Sequence, residues 1–135
     1  MSWFSAAFYG GFLQMRVRCI KLISEQTGQP INTSPWLSVG KVYLVLEVLV
    51  SGRDYIKFRL VSDDNKTPAF HDFSQFELVS GAIPKCWIAT FEPGQQFCLS
   101  PSIFAQRGFW DRYFDGDDET RRAFDEVLRT LEEDS

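Results

Sequence analysis

The stretch Trp36–Val79, WLSVGKVYLVLEVLVSGRDYIKFRLVSDDNKTPAFHDFSQFELV, holds two apolar runs, two polar turns and a closing aromatic segment. Ser51-Gly52-Arg53-Asp54 joins the runs, Asp63-Asp64-Asn65-Lys66 makes the second turn, and Phe76-Glu77-Leu78-Val79 closes the segment. Turn residues at this spacing between β-formers predict a meander of short antiparallel strands. In the second run Ile56, Phe58 and Leu60 alternate with Lys57 and Arg59. A period of two puts the first three on a core and the two cations in water. From Val42 to Val50 nearly every position is apolar, which predicts a strand covered on both faces or central in its sheet.

Working outward, Arg16–Ile23 reads as a strand, and Gly28, Pro30, Asn32 and Pro35 mark the loop after it. Pro68 begins a short aromatic strand, with Asp72-Phe73-Ser74 as a turn into Phe76–Ser80. Cys86–Thr90 and Gln96–Leu99, joined by Glu92-Pro93-Gly94, predict a second hairpin. At Ser100-Pro101 the pattern changes, since serine at an N-cap followed by proline opens a helix. Gly108 interrupts that helix before Phe109–Phe114, Asp115-Gly116 ends the second piece, and Asp117 caps a last helix. There Ala123, Phe124, Val127, Leu128 and Leu131 form one apolar stripe. Strands first and helices last predict an α+β domain: a strongly bent antiparallel β-sheet or an SH3-like β-barrel, followed by C-terminal helices.

The 135 residues suit one domain. The segment 1–14, MSWFSAAFYGGFLQ, lacks the charged start of a secretory signal and is too short to span a bilayer. Because the strand pattern begins at Met15, residues 1–14 read as an extension upstream of the true start, with a docked strand or helix as the alternative, and residues 15–135 as a single domain. Cys19, Cys86 and Cys98 are odd in number and lack metal-ligand spacing. Lying among apolar neighbours, they read as reduced core residues of a cytoplasmic protein, with a pair between Cys86 and Cys98 left open.

Chemistry is hard to find in this chain. The single histidine, His71, is the one base open to a serine nucleophile, and on a strand it points away from its neighbour Asp72. Asp63-Asp64 and Asp115–Glu119 fit turns and a helix cap better than a calcium loop, whose ligands alternate. No catalytic residue, metal or cofactor is expected. The charge is uneven: of a net −4, the residues from Asp111 onward hold ten acids against four bases. Such a field repels nucleic acid and anionic membranes and steers a cationic partner inward.

Two binding readings follow. One is a small SH3-like barrel module for nucleic acid or a peptide, weakened by having only Arg16, Arg18 and Lys21 as a basic cluster. The other is a dedicated protein partner with a basic surface, met by Asp111, Asp115, Asp117, Asp118 and Glu119 and anchored by an exposed Trp110 or Tyr113.

Three segments carry a resemblance: Ser34-Pro35-Trp36-Leu37-Ser38-Val39-Gly40-Lys41-Val42-Tyr43, Phe70-His71-Asp72-Phe73-Ser74-Gln75-Phe76-Glu77, and Gly108-Phe109-Trp110-Asp111-Arg112-Tyr113-Phe114-Asp115-Gly116-Asp117. Together the chain resembles the small immunity proteins found beside bacterial polymorphic toxins, including those of contact-dependent growth inhibition. The resemblance implies a cytosolic protein that neutralises a cognate toxin, often a nuclease, by tight stoichiometric binding. It implies no residue-level site, because such interfaces diverge with their toxins.

Overall fold

The computed structural model describes residues 14–52, 55–92 and 96–133. Among these residues eight strands form two antiparallel sheets, and the α-helices follow them, an α+β order. The smaller sheet has β2 (Val42–Leu44), β1 (Met15–Cys19) and β6 (Phe76–Gly81), in that order. The larger runs β5 (Pro68–Asp72), β4 (Ile56–Val61), β3 (Glu47–Ser51), β8 (Gln96–Pro101) and β7 (Trp87–Glu92). Both ladders are open in the described residues.

The apolar run Val42–Val50 is two strands rather than one. β2 pairs with β1, then the chain crosses at Val45 and Leu46 to enter the larger sheet as β3. The Val45 amide bonds the Met15 carbonyl of one sheet, and the Leu46 amide bonds the Arg59 carbonyl of the other. Strands that change sheets in this way make the corners of layered β structures. Both crossing residues are fully buried, which explains why the run shows no alternation.

In β1, Val17 and Cys19 are buried as the alternation requires, but the strand stops at Cys19 and leaves Ile20 exposed. Gln14 has its side chain buried against the far end of the chain: its amide donates to the carbonyls of Leu131 and Glu132 at 3.0 and 2.9 Å. Those carbonyls are in the final helical turn, where the backbone lacks partners of its own. The residue assigned by sequence to the extension is therefore tied to the fold, while residues 1–13 lie outside the described residues.

The expected helix start at Ser100-Pro101 is overridden. Ser100 pairs with Ile88 and Pro101 with Trp87, so both residues finish β8. A 3-10 turn over Ser102–Ala105 follows. Gly108, at φ 76°, then turns the chain into α1 (Phe109–Phe114), and Gly116, at φ 87°, turns it out again. Both positions need the left-handed backbone that glycine adopts freely. α2 (Asp118–Glu133) buries Phe124 and Leu131, part of the stripe read from its spacing, with the Phe124 ring against Phe104 and Tyr113 at 5.7 and 5.0 Å. No helix among the described residues is long and apolar enough to cross a membrane.

Two cations expected in water are not there. Arg59 is 6% exposed. Its guanidinium bonds Glu47 at 2.7 Å and the Pro68 carbonyl at 2.8 Å, and the Cys98 thiol donates to the other Glu47 oxygen. Lys57 has its side chain only 18% exposed, with its ammonium 3.2 Å from Glu25. The second sheet face is covered by α1 and by the loop before β2, so alternation in β4 separates two buried environments rather than core from solvent. The cysteines also divide: Cys19 is buried, Cys98 half-buried and Cys86 exposed. The ladder places Cys98 opposite Thr90 rather than Cys86.

Candidate functional site

The acidic residues singled out by sequence gather at the corner between α1 and α2. That corner is held by backbone bonds from Asp115 to Asp111, Gly116 to Tyr113 and Asp117 to Arg112. Arg121 adds a clamp, its Nε donating to the Tyr113 carbonyl at 3.1 Å. Asp111, Asp115, Asp118 and Glu119 are exposed. Asp117 is engaged locally, accepting from the backbone amide and the hydroxyl of Thr120 as the N-cap of α2. Those two bonds hold its carboxyl below the usual carboxylate range.

The two rings expected as anchors have another use. Tyr113 is 8% exposed, with its hydroxyl 3.4 Å from the Lys66 carbonyl. Trp110 sits between Phe104, Phe109 and Phe124, with ring centroids at 4.9, 4.9 and 5.9 Å. Burial of the Tyr113 phenol raises its pKa. The exposed ring is Phe114, at 52%, which sequence reading passed over. It lies one turn beyond Trp110, and that spacing should place it on the same buried face. But α1 ends there, and its ring leans on Trp110 and Tyr113 at 6.0 and 5.2 Å from outside. The corner is thus an exposed apolar ring on a fixed backbone, in a stretch with five exposed carboxylates, one of them the Asp117 cap, and the exposed Arg112, Arg121 and Arg122.

A second concave feature lies between the loop preceding β2 and the strand β5. It is a cleft of about 500 Å³ with Ile31, Trp36 and Phe70 in its apolar lining and Glu25 and His71 in its polar lining. Glu25 accepts from the Asp72 amide at 2.9 Å and from Lys57 at 3.2 Å. His71 Nε2 lies 3.1 Å from the Ser62 hydroxyl, and Nδ1 is 4.0 Å from Glu25. Burial holds the imidazole below its ordinary pKa, with Glu25 opposing and Lys57 reinforcing that direction.

Ser62, His71 and Glu25 are ordered like a hydrolytic triad. Sequence reading missed the grouping because it weighed His71 only against Asp72, whereas Glu25 comes from a loop 46 positions earlier. Ser62, however, is 1% exposed and outside the cleft wall. A substrate carbonyl has no route to its hydroxyl in this geometry, and 4.0 Å exceeds hydrogen-bond length. Among the described residues, no group of three or more His, Cys, Asp or Glu side chains is placed to hold a metal ion.

Comparison with protein families, curated proteins and solved structures finds no match to this chain.

Proposed function

We propose that the chain is an immunity protein that binds and neutralises a cognate bacterial toxin, a nuclease being the favoured class, by stoichiometric tight binding without turnover. The observation that carries this reading is Phe114: an exposed ring on a clamped helix corner whose two helix ends also carry the exposed Asp111, Asp115, Asp118 and Glu119, in excess over Arg112 and Arg122. Toxins that act on nucleic acid need a basic surface to hold phosphates. An acidic corner complements such a surface and speeds encounter, while a central ring supplies the desolvated contact that slows dissociation. The proposed setting is the cytoplasm, with a basic toxin domain as partner and with no cofactor, metal, nucleic acid or membrane.

The test begins with the neighbouring reading frame. A large secreted protein with a variable C-terminal domain there supplies the candidate partner, and mixing that domain with this chain should give a one-to-one complex on gel filtration. Two separate peaks at micromolar concentration would rule the pair out. The alternative reading, an SH3-like barrel that binds nucleic acid or a peptide, is tested by gel shift: selective retention of an oligonucleotide would support it against the acidic corner.

A further inference from the structure

We infer that the cleft beside β5 receives an extended segment of a partner protein as an added strand: its backbone pairs with the outward N–H and C=O of Phe70, an aliphatic side chain packs on Trp36, and a basic side chain reaches Glu25. This site is separate from the α1–α2 corner, and the inference does not depend on the immunity reading.

β5 is an edge strand, paired on one side only with β4. The direction of its free groups follows from the register. Ser62 donates to the Thr67 carbonyl at 2.9 Å, so that pair is hydrogen-bonded in the ladder. Bonded pairs alternate in an antiparallel ladder, so Leu60–Ala69 and Phe58–His71 are bonded as well. Pro68, Phe70 and Asp72 therefore turn their backbone groups away from β4, but Arg59 takes the Pro68 carbonyl at 2.8 Å and Gln75 reaches the Asp72 carbonyl, which leaves Phe70 as the open position. The Asp72 amide confirms the direction, because it meets the Glu25 carboxylate in the cleft at 2.9 Å. Among the described residues, no backbone bond from the facing loop reaches residues 69–71. An open edge of this kind recognises another backbone, and side-chain pockets beside it select the segment.

The walls fit such a guest. Trp36 is 47% exposed, while its carbonyl accepts from the Asp63 amide at 2.8 Å, so the ring stands on an anchored backbone. Glu25 is the single charged side chain in the lining when His71 is neutral. Its Oε1 serves Asp72 and Lys57, while Oε2 lies 4.0 Å from His71 Nδ1, beyond hydrogen-bond length. A lysine or arginine of the guest completes that carboxylate's partners.

The test uses the full chain labelled with nitrogen-15 and a blocked heptapeptide probe, Ser-Lys-Val-Thr-Val-Lys-Ser. Two further copies carry N-methyl groups on alternate central residues, one set for each edge of the strand. The expected result is shifts of the Phe70 and Asp72 amides and the Trp36 indole, with one methylated copy bound about tenfold more weakly and the other unchanged. Glu25→Gln keeps an acceptor for Asp72, and it should weaken the lysine peptide about fivefold while leaving a norleucine version unaffected. Equal behaviour of the two methylated copies, shifts at the α1–α2 corner instead, or no shift up to about 5 mM peptide would overturn the inference.

Discussion

The guanidinium of Arg59 lies 3.8 Å from the ring centroid of Trp110, and the ring of Phe70 covers its other face at 4.0 Å. A cation in the middle of β4 is thus the joint between the larger sheet and α1. Burial lowers its pKa while Glu47 holds it charged. Removing one partner of a buried pair leaves the other charge without compensation, so Arg59→Leu should destabilise by about 3–5 kcal/mol. That is a large share of a domain's stability. Adding Glu47→Leu should recover much of the loss. Urea unfolding of the two variants checks it, and a double variant no better than the single one would contradict it.

His71 makes stability depend on pH. Its folded pKa is depressed, chiefly by burial, below the ordinary 6.5, and Glu25, Lys57 and Asp63 are the charged groups that act on it. The neutral ring therefore contributes stability that is complete above that value and is lost as pH falls through the folded pKa. The urea midpoint should drop between pH 7.5 and 5.5, and it should drop less in His71→Gln. An equal slope in both proteins would place the dependence elsewhere.

Asp63 has the sequence setting of a turn residue, yet its carboxylate binds three partners across the fold. It accepts from the hydroxyls of Ser38 and Tyr43 at 2.7 and 2.8 Å and from Lys41 at 3.0 Å. Desolvation alone would raise its pKa, but these bonds together lower it. Asp63→Ala should cost about 1–3 kcal/mol and loosen the loop that carries Trp36. Faster hydrogen exchange at Trp36 and Ser38 reports the loosening.

Gln14 offers a sharp truncation. Removing residues 1–13 leaves Gln14 in place, whereas Gln14→Ala removes both bonds to the α2 carbonyls and the one its Oε1 accepts from Arg16. The substitution should cost about 1–2 kcal/mol. Thermal unfolding with no difference between Gln14→Ala and the parent would show that the helix end does not need this cap.

Much of the fold was legible because its signals are local. Turn residues at 63–66, the glycines at 108 and 116, the Asp117 cap and the α2 stripe each depend on a few neighbours in sequence, while the turn expected at 51–54 includes two positions outside the described residues. What failed was set by distant cover. Arg59 and Lys57 looked solvated because alternation reports two faces and says nothing of what lies on the second. Ser100-Pro101 has the chemistry of a helix start, but its pairing with β7 takes precedence. At the candidate site, the positions of the carboxylates were legible and the exposure of the rings was not, since Trp110 and Phe114 share a helical face and only the end of α1 separates their fates. The cleft was illegible because Glu25, Trp36 and Phe70 meet only in three dimensions.

At the corner, Phe114→Ala should leave stability nearly unchanged and weaken a toxin complex by about 1–3 kcal/mol through faster dissociation. Tyr113→Ala should unfold the corner instead, because that ring is buried. Asp115→Asn with Asp118→Asn should slow association, an effect that disappears at high salt.

The most direct measurement is growth of bacterial cells that express the variable C-terminal domain encoded by the neighbouring frame, with and without this chain. Arrest by the domain alone, growth restored by the chain, and weakened rescue by Phe114→Ala are the results the account predicts. Arrest that is equal with and without the chain would contradict it for that pair.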